Sequence, residues 1–297
     1  MPLAKDIWRP LIVEAPIETV LRAGSIEGFA HRWLPKEDFL CFLADPFGIE
    51  RNGMRYVFVE RYDYRSRRGT IECLAFASDG SLSDRRQVLE EPWHLSYPFV
   101  FETAGETYML PEAHRSGGLT LYRAVEFPWR WERTAVIALD HVAIDATPVF
   151  HEGLWWLFYS TADHGAAGKT GALFLAWADR IEGPWTPHTG NPVRRGEDAS
   201  RPGGTPAVMD GKLVLPMQDC RRTYGAAIRP LSIHRLAPDV FEAEAGAAIT
   251  APHGFAPFDA GLHTLSAIGS ATLVDVKRKL LTPRSLVVLT KRELAKR

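Results

Sequence analysis

Four acidic side chains stand at matching places in a repeated pattern: Asp45, Glu60, Glu112 and Asp145. Carboxylates gathered in a partly desolvated cavity cannot all ionise normally, because burial and like charge raise one pKa and leave another low. That division is what general acid/base or nucleophilic chemistry requires. Polar residues recur at corresponding places further along, at Arg201, Gln218, Asp219 and His263.

These residues gain meaning from the elements that carry them. Segments aligned on a Gly and following apolar residues read GMRYVFVE (53–60), GETYMLPE (105–112), GLWWLFYS (153–160) and GKLVLPMQ (211–218), with a degraded fifth copy, SATLVDVK, at 270–277. The glycines step by 52, 48 and 58 residues, and Pro46, Pro98, Pro148 and Pro206 precede them in the same rhythm. Such a period, with short Val-, Phe-, Tyr- and Trp-rich runs and Gly or Asn turns, predicts an all-β, five-bladed β-propeller. A β-sandwich of similar hairpins is the competing architecture.

Five copies occupy 1–297 as one propeller domain, and DIWRPLIVEAP (6–16) is expected to supply an outer strand to the last blade and close the ring. Closure removes sheet edges that would otherwise pair with other chains. Helical periodicity is weak except in the basic tail SLVVLTKRELAKR (285–297).

In a blade, the inner strand and its returning neighbour bring their far ends to one mouth of the ring. Asp45 is expected to start an inner strand whose partner ends at Glu60. The same logic pairs Tyr97 and Pro98 with Glu112, Asp145 with Ser160, Thr205 with Gln218 and Asp219, and His263 with the stretch near Asp275. Among aromatics at strand ends, Trp93, Trp129, Trp131, Tyr224 and above all Tyr97 are candidate platforms for a sugar ring, whereas Trp155 and Trp156, adjacent in mid-strand, suit packing between blades.

The 297 residues carry 35 Lys+Arg against 36 Asp+Glu, a net charge of -1. No basic footprint exists for a nucleic acid. Cys41, Cys73 and Cys220 show no metal-ligand or disulfide spacing, so free thiols in a reducing, cytoplasmic setting are expected. No stretch is apolar enough for a membrane span or signal peptide. Neither a metal nor another cofactor is expected, and the sequence is silent on oligomeric state.

ADPFGIERNGMRYVFVE (44–60) and AIDATPVFHEGLWWLFYS (143–160) resemble the blade-opening motifs of five-bladed propeller glycosidases, the arabinanase, β-xylosidase and invertase superfamily that includes glycoside hydrolase family 43. That resemblance implies Asp45 as general base or nucleophile and Asp145 as its modulator. The clan's acid, a Glu before Pro in the fourth blade, is missing: Ser200 and Arg201 stand there. SRPGG (200–204), LPMQDCRRTYGAAIR (215–229), GPWTPHTGNPV (183–193) and GLHT (261–264) are more similar to the propeller domain of plant glucosamine inositolphosphorylceramide transferases and bacterial relatives. In the plant proteins the transferase activity is usually assigned to another domain.

With the clan's acid gone, Glu112 becomes the preferred proton donor and Glu60 the other choice, since LPEAHR (110–115) puts His114 and Arg115 within reach of a substrate. Arg201 either pairs with a carboxylate or holds an anionic substituent. His263 matches a position where some clan members carry an axial His. The expected partner is a small-molecule sugar or glycoconjugate whose linkage is cleaved or transferred; the alternatives are a glycan-binding scaffold and a glycosyltransferase built on a hydrolase-like frame.

Overall fold

The computed structural model describes residues 4–281. The tail helix expected at 285–297 lies outside these residues.

Five antiparallel sheets form a ring, a five-bladed β-propeller. The first blade runs outward through Cys41–Arg51, Met54–Asp63, Arg68–Phe76 and Leu82–Leu89. Ser96–Thr103, Glu106–Glu112, Leu119–Glu126 and Arg130–Ile137 make the second. The third begins with Ala143–His151, Leu154–Thr161 and Ala172–Ala178, and the fourth centres on Lys212–Asp219 and Ala227–Ala237. In the fifth, Leu262–Ile268 and Ala271–Leu280 are joined by the N-terminal strand Lys5–Val13, which pairs along its whole length with Ala271–Leu280. The inner strand of the fifth blade packs against that of the first.

The repeated hairpins exist because their turns are built for them. Asn52-Gly53, Ala104-Gly105, Glu152-Gly153 and Asp210-Gly211 all carry two consecutive left-handed residues, the type I′ geometry that matches strand twist.

Apolar side chains lie on both faces of each sheet, since every blade is covered by two neighbours. Five clusters result, one per blade junction. Adjacent Trp155 and Trp156 point opposite ways, Trp155 into the junction of the second and third blades and Trp156 into that of the third and fourth. The short helix Ile17–Ala23 seals the fourth-to-fifth junction with buried Ile17, Val20 and Leu21.

The fourth inner strand departs from the pattern. Arg201–Pro202 and Ala207–Met209 pair with their own blade, and the Gly203 N–H donates to Pro216 O at 2.9 Å. Between them the backbone crosses to the fifth: Leu265 N–H donates to Gly203 O at 2.9 Å and Thr205 N–H to Leu265 O at 3.2 Å. Gly204, at φ 150°, is needed there, because a Cβ would overlap the Leu265 carbonyl. Thr205 is therefore not opposite Gln218 as expected; Arg201 is.

Candidate functional site

One backbone device aims the central side chains. In the first three blades the inner-strand register slips between Ala44 and Phe47, Ser96 and Phe99, and Ile144 and Thr147. At each slip one residue adopts a left-handed backbone: Asp45 at φ 49°, Tyr97 at φ 45° and Asp145 at φ 49°. A bulge breaks the alternation of side chains and re-aims one of them. Asp45 therefore sits within its strand, which begins at Cys41, and not at its start as the sequence suggested.

Second strands answer these bulges. Glu60 pairs with Ala44, Glu112 with Ser96, Ser160 with Ile144 and Gln218 with Arg201, while Asp275 stands opposite Thr264 in the fifth blade. Asp45, Glu60, Glu112, Asp145, Gln218, His263 and Asp275 are all buried. Their charges act on one another across four blades: Asp45, Glu112, Asp275 and Asp145 each raise the Glu60 carboxyl. Asp45, Glu60, Glu112 and Asp145 thus gather around one axial cup.

Tyr97 forms the floor of that cup and is no sugar platform. Its ring is fully buried against Phe47 and Phe99, and its hydroxyl is held by Thr147 Oγ1 at 2.9 Å and by the Gly204 N–H at 2.8 Å. The bulge that turns Asp45 and Asp145 inward turns Tyr97 inward too, and three blades lock it.

Asp45 is gripped by the second and fifth blades. Oδ2 accepts from the Tyr97 N–H at 3.1 Å and Oδ1 from Thr264 Oγ1 at 3.2 Å; His263 Nε2 lies 3.4 Å from Oδ1. Its own N–H donates to Asp275 Oδ2 at 2.8 Å. Burial pushes the Asp45 carboxyl up, His263 opposes this, and Asp275 and Asp145 add to it, leaving the group at about 7.

Glu60 and Glu112 occupy equivalent positions and behave oppositely. Burial and the surrounding carboxylates hold Glu60 well above the ordinary carboxylate range. Among the described residues its nearest cationic candidate is His94, whose Nε2 is 3.6 Å from Oε1. Burial lowers His94 to about 4, and Nδ1 accepts from the Gly69 N–H at 2.8 Å, so the ring is neutral. Burial would raise Glu112 as well, but His114 outweighs it: Oε1 accepts from the His114 N–H and faces Nδ1, both at 2.6 Å, and Oε2 accepts from Ser96 Oγ at 2.7 Å. Glu112 falls to about 2 and is ionised.

Arg201 points into the cup and pairs with Asp145. Nε donates to Oδ2 at 2.7 Å, and Gln218 Nε2 donates to the same oxygen at 2.9 Å. Burial raises the Asp145 carboxyl and Arg201 pulls it back, with a net upward shift. Arg201 also reaches Lys169 O at 3.3 Å, on the short helix Gly165–Gly171, and the Tyr224 hydroxyl at 3.4 Å. Tyr224 is 37% exposed with the guanidinium 5.0 Å from its ring centre, an aromatic face at the mouth.

Two expected binding residues face elsewhere. Strand alternation that sends Gln218 inward sends Asp219 to the opposite side, where Arg221 and Arg229 donate to it and, against burial, hold it at about 2. Arg115 is exposed and donates to Arg67 O in the first blade's loop. Trp129 and Trp131 flank or lie on the second blade's outer strand, with Trp131 buried and bonded to Pro128 O, and Trp93 is covered by Arg133.

Trp8, His94, Thr264, Asp275 and Lys277 were missed as site residues. His263 Nδ1 lies 2.7 Å from Asp275 Oδ1, and the imidazole stacks on the Trp8 indole with centroids 3.6 Å apart and planes 8° apart. Lys277 is fully buried; it donates to the Tyr224 carbonyl and lies 5.1 Å from the Trp8 ring centre. The available signal was the acid in the degraded fifth copy, SATLVDVK. Asp45, His263 and Asp275 each place a ligand-type atom within 4.8 Å of the others, and those atoms are engaged with one another as described.

Residues 36–253 match the family model described as glucosamine inositolphosphorylceramide transferase 1, N-terminal. The chain is 37% identical over 241 residues to glucosamine inositolphosphorylceramide transferase 1 of Arabidopsis thaliana, covering 80% of this chain and 30% of that protein. Against the protein of the same name from Oryza sativa subsp. indica it is 34% identical over 204 residues, covering 68% and 27%. The chain thus spans under a third of these relatives. Among solved structures, it is similar to the family 117 glycoside hydrolase Zg3597 of Zobellia galactanivorans (TM-score 0.56, 16% identity, 84% of this chain and 90% of that one). It is also similar to the α-L-arabinofuranosidase PaAbf62A of Podospora anserina (TM-score 0.57, 12% identity, 82% and 93%). At these identities the structural likeness speaks to the fold.

Proposed function

This chain belongs to the family of the N-terminal region of glucosamine inositolphosphorylceramide transferase 1, and from that premise we propose that it is a carbohydrate-active propeller that cleaves or transfers a glycosidic linkage in its axial cup. One observation carries the reading: Glu60, raised by burial and the surrounding carboxylates, and Asp45, placed at about 7, occupy the same cup on adjacent strands. A proton donor and a proton acceptor with separated pKa values are the two parts acid/base chemistry at a glycosidic bond needs.

In this proposal Asp45 is the base or nucleophile. Asp145, anchored by Arg201 and Gln218, tunes the cup by its charge. Glu60 supplies the proton to the leaving oxygen; Glu112, the first choice from the sequence, is ionised and suits binding of a sugar hydroxyl. Tyr224 at the mouth offers a face to a sugar ring and His114 borders Glu112. The substrate is a saccharide or glycoconjugate, in keeping with the names of the relatives.

The experiment is turnover of a panel of aryl glycosides and nucleotide sugars, with and without a sugar acceptor, by the wild-type chain and Asp45→Asn. Product formed only with acceptor present favours transfer over hydrolysis. Turnover undiminished in the variant removes Asp45 from its role.

A second reading, a glycan-binding module without chemistry, is supported by Arg201 replacing the clan's acid and neutralising Asp145. Calorimetric binding of a saccharide recovered unaltered after long incubation selects it.

A further inference from the structure

His263 is held on every side. Asp275 Oδ1 faces Nδ1 at 2.7 Å while also accepting from the Thr264 N–H at 2.9 Å, and Asp275 Oδ2 accepts from the Asp45 N–H. With each Asp275 oxygen accepting a backbone N–H, Thr264 on Oδ1 and Asp45 on Oδ2, the carboxyl is arranged as an acceptor and Nδ1 takes the donor role. Nε2 then faces Asp45 Oδ1 at 3.4 Å. A lone pair on Nε2 would oppose a lone pair on the carboxylate; one proton must lie between them.

The rings cannot turn away. Trp8 covers one face of the imidazole, and the Tyr224 ring meets it edge-on at 5.4 Å and 88°. Gly225, at φ 57°, brings the chain so close that a Cβ would lie 2.6 Å from His263 Cβ and 2.7 Å from Trp8 Cη2. An indole face favours a cation above it.

We propose that Asp275 is a positioning residue that fixes His263 as an imidazolium against Asp45, and that Trp8, on the strand that completes the fifth blade, locks the ring in that orientation. The proposal deepens the reading of the same cup: the cation draws the Asp45 carboxyl down against burial and its neighbouring acids. Charged groups facing the imidazole are Asp45 from the first blade, Asp275 and Lys277 from the fifth, and Asp145 with its Arg201 from the third and fourth; Tyr224 is the titratable hydroxyl nearby. Lys277 and burial oppose the charge on His263, and the two adjacent carboxylates outweigh them.

The test is NMR of the intact chain labelled at histidine nitrogen, with the His263 signal assigned by its loss in His263→Gln. His253, fully exposed, is the internal reference. His263 should remain protonated at least one pH unit above His253, a tenfold difference in proton affinity. In Asp275→Asn its titration should fall below that of His253, and Trp8→Leu should lower it while Trp8→Phe restores it. Titration of wild-type His263 with or below His253 overturns the proposal, as does an unshifted titration in folded Asp275→Asn. If that variant fails to fold, the wild-type titration and the Trp8 pair decide. Because the readout is a nitrogen shift, a charged His263 in a chain that turns over no saccharide would leave this relay standing and remove only the catalytic reading.

Discussion

Arg201 donates through Nε to Asp145 Oδ2 at 2.7 Å, so the fourth blade answers the third with a cation at the place where the glycosidase resemblance expects a second acid. The pair is nearly enclosed, its side chains 12% and 4% exposed. In the proposed chemistry the acid/base division therefore falls to Asp45 and Glu60.

Breaking that pair leaves a buried charge alone, which typically costs about 3–5 kcal/mol. Arg201→Met should lower unfolding stability by roughly that amount, read from denaturant midpoints. Asp145→Asn in the same background should recover much of the loss, because it removes the stranded charge. Strictly additive losses would show that the two side chains are not coupled.

Glu60 and Glu112 should give opposite pH dependence. Glu60 is raised in the folded state, so its contribution is complete below the unfolded carboxyl's pKa of 4.5 and is lost as pH rises above it. Glu60→Gln should therefore gain progressively on the wild type in melting temperature as pH increases above 4.5. Glu112 is depressed to about 2 from 4.5, so it stabilises above 4.5 and that contribution disappears as pH falls toward 2. Glu112→Gln should be destabilised at neutral pH and approach the wild type in acid. Thermal melts across pH would reveal identical trends if the assignment were wrong.

For any saccharide that the chain turns over, Asp45→Asn should reduce kcat by about 10²–10⁴, the range for loss of a positioned acid or base. The wild-type rate should rise with pH through about 7 as Asp45 ionises and fall again where Glu60 gives up its proton. A flat profile across that interval would separate Asp45 from the chemistry.

Gly204→Ala should destabilise the ring by more than the roughly 1 kcal/mol of a simple glycine effect, since the new methyl meets the Leu265 carbonyl at φ 150°. Gly254→Ala, with open space around it, is the control. Equal melting of the two variants would mean that the crossing of the fourth inner strand is not held as described. No described helix is long and apolar enough to cross a membrane.

The blades were legible because a period near 50 residues and left-handed turns such as Asn52-Gly53 are written in short stretches of chain. The presence of Asp45, Glu60, Glu112 and Asp145 at one end of the ring was legible for the same reason: hairpin ends converge once the repeat is recognised. Side-chain direction was not. Tyr97 shares the bulge of Asp45 and Asp145 yet fills the floor, and Asp219 sits one residue from Gln218 yet faces Arg221 and Arg229. A shift of one position reverses the face, and no local pattern reports it.

From its residues alone, this chain declared an all-β ring of five blades and a cup with acidic walls, since both follow from spacing and turn chemistry. Three-dimensional packing decided which acid is raised, Glu60, which is lowered, Glu112, and which histidine is gripped. Those outcomes depend on contacts such as Asp45 with Asp275, 230 residues apart, and on the dryness of the space they enclose, neither of which any local stretch of sequence encodes.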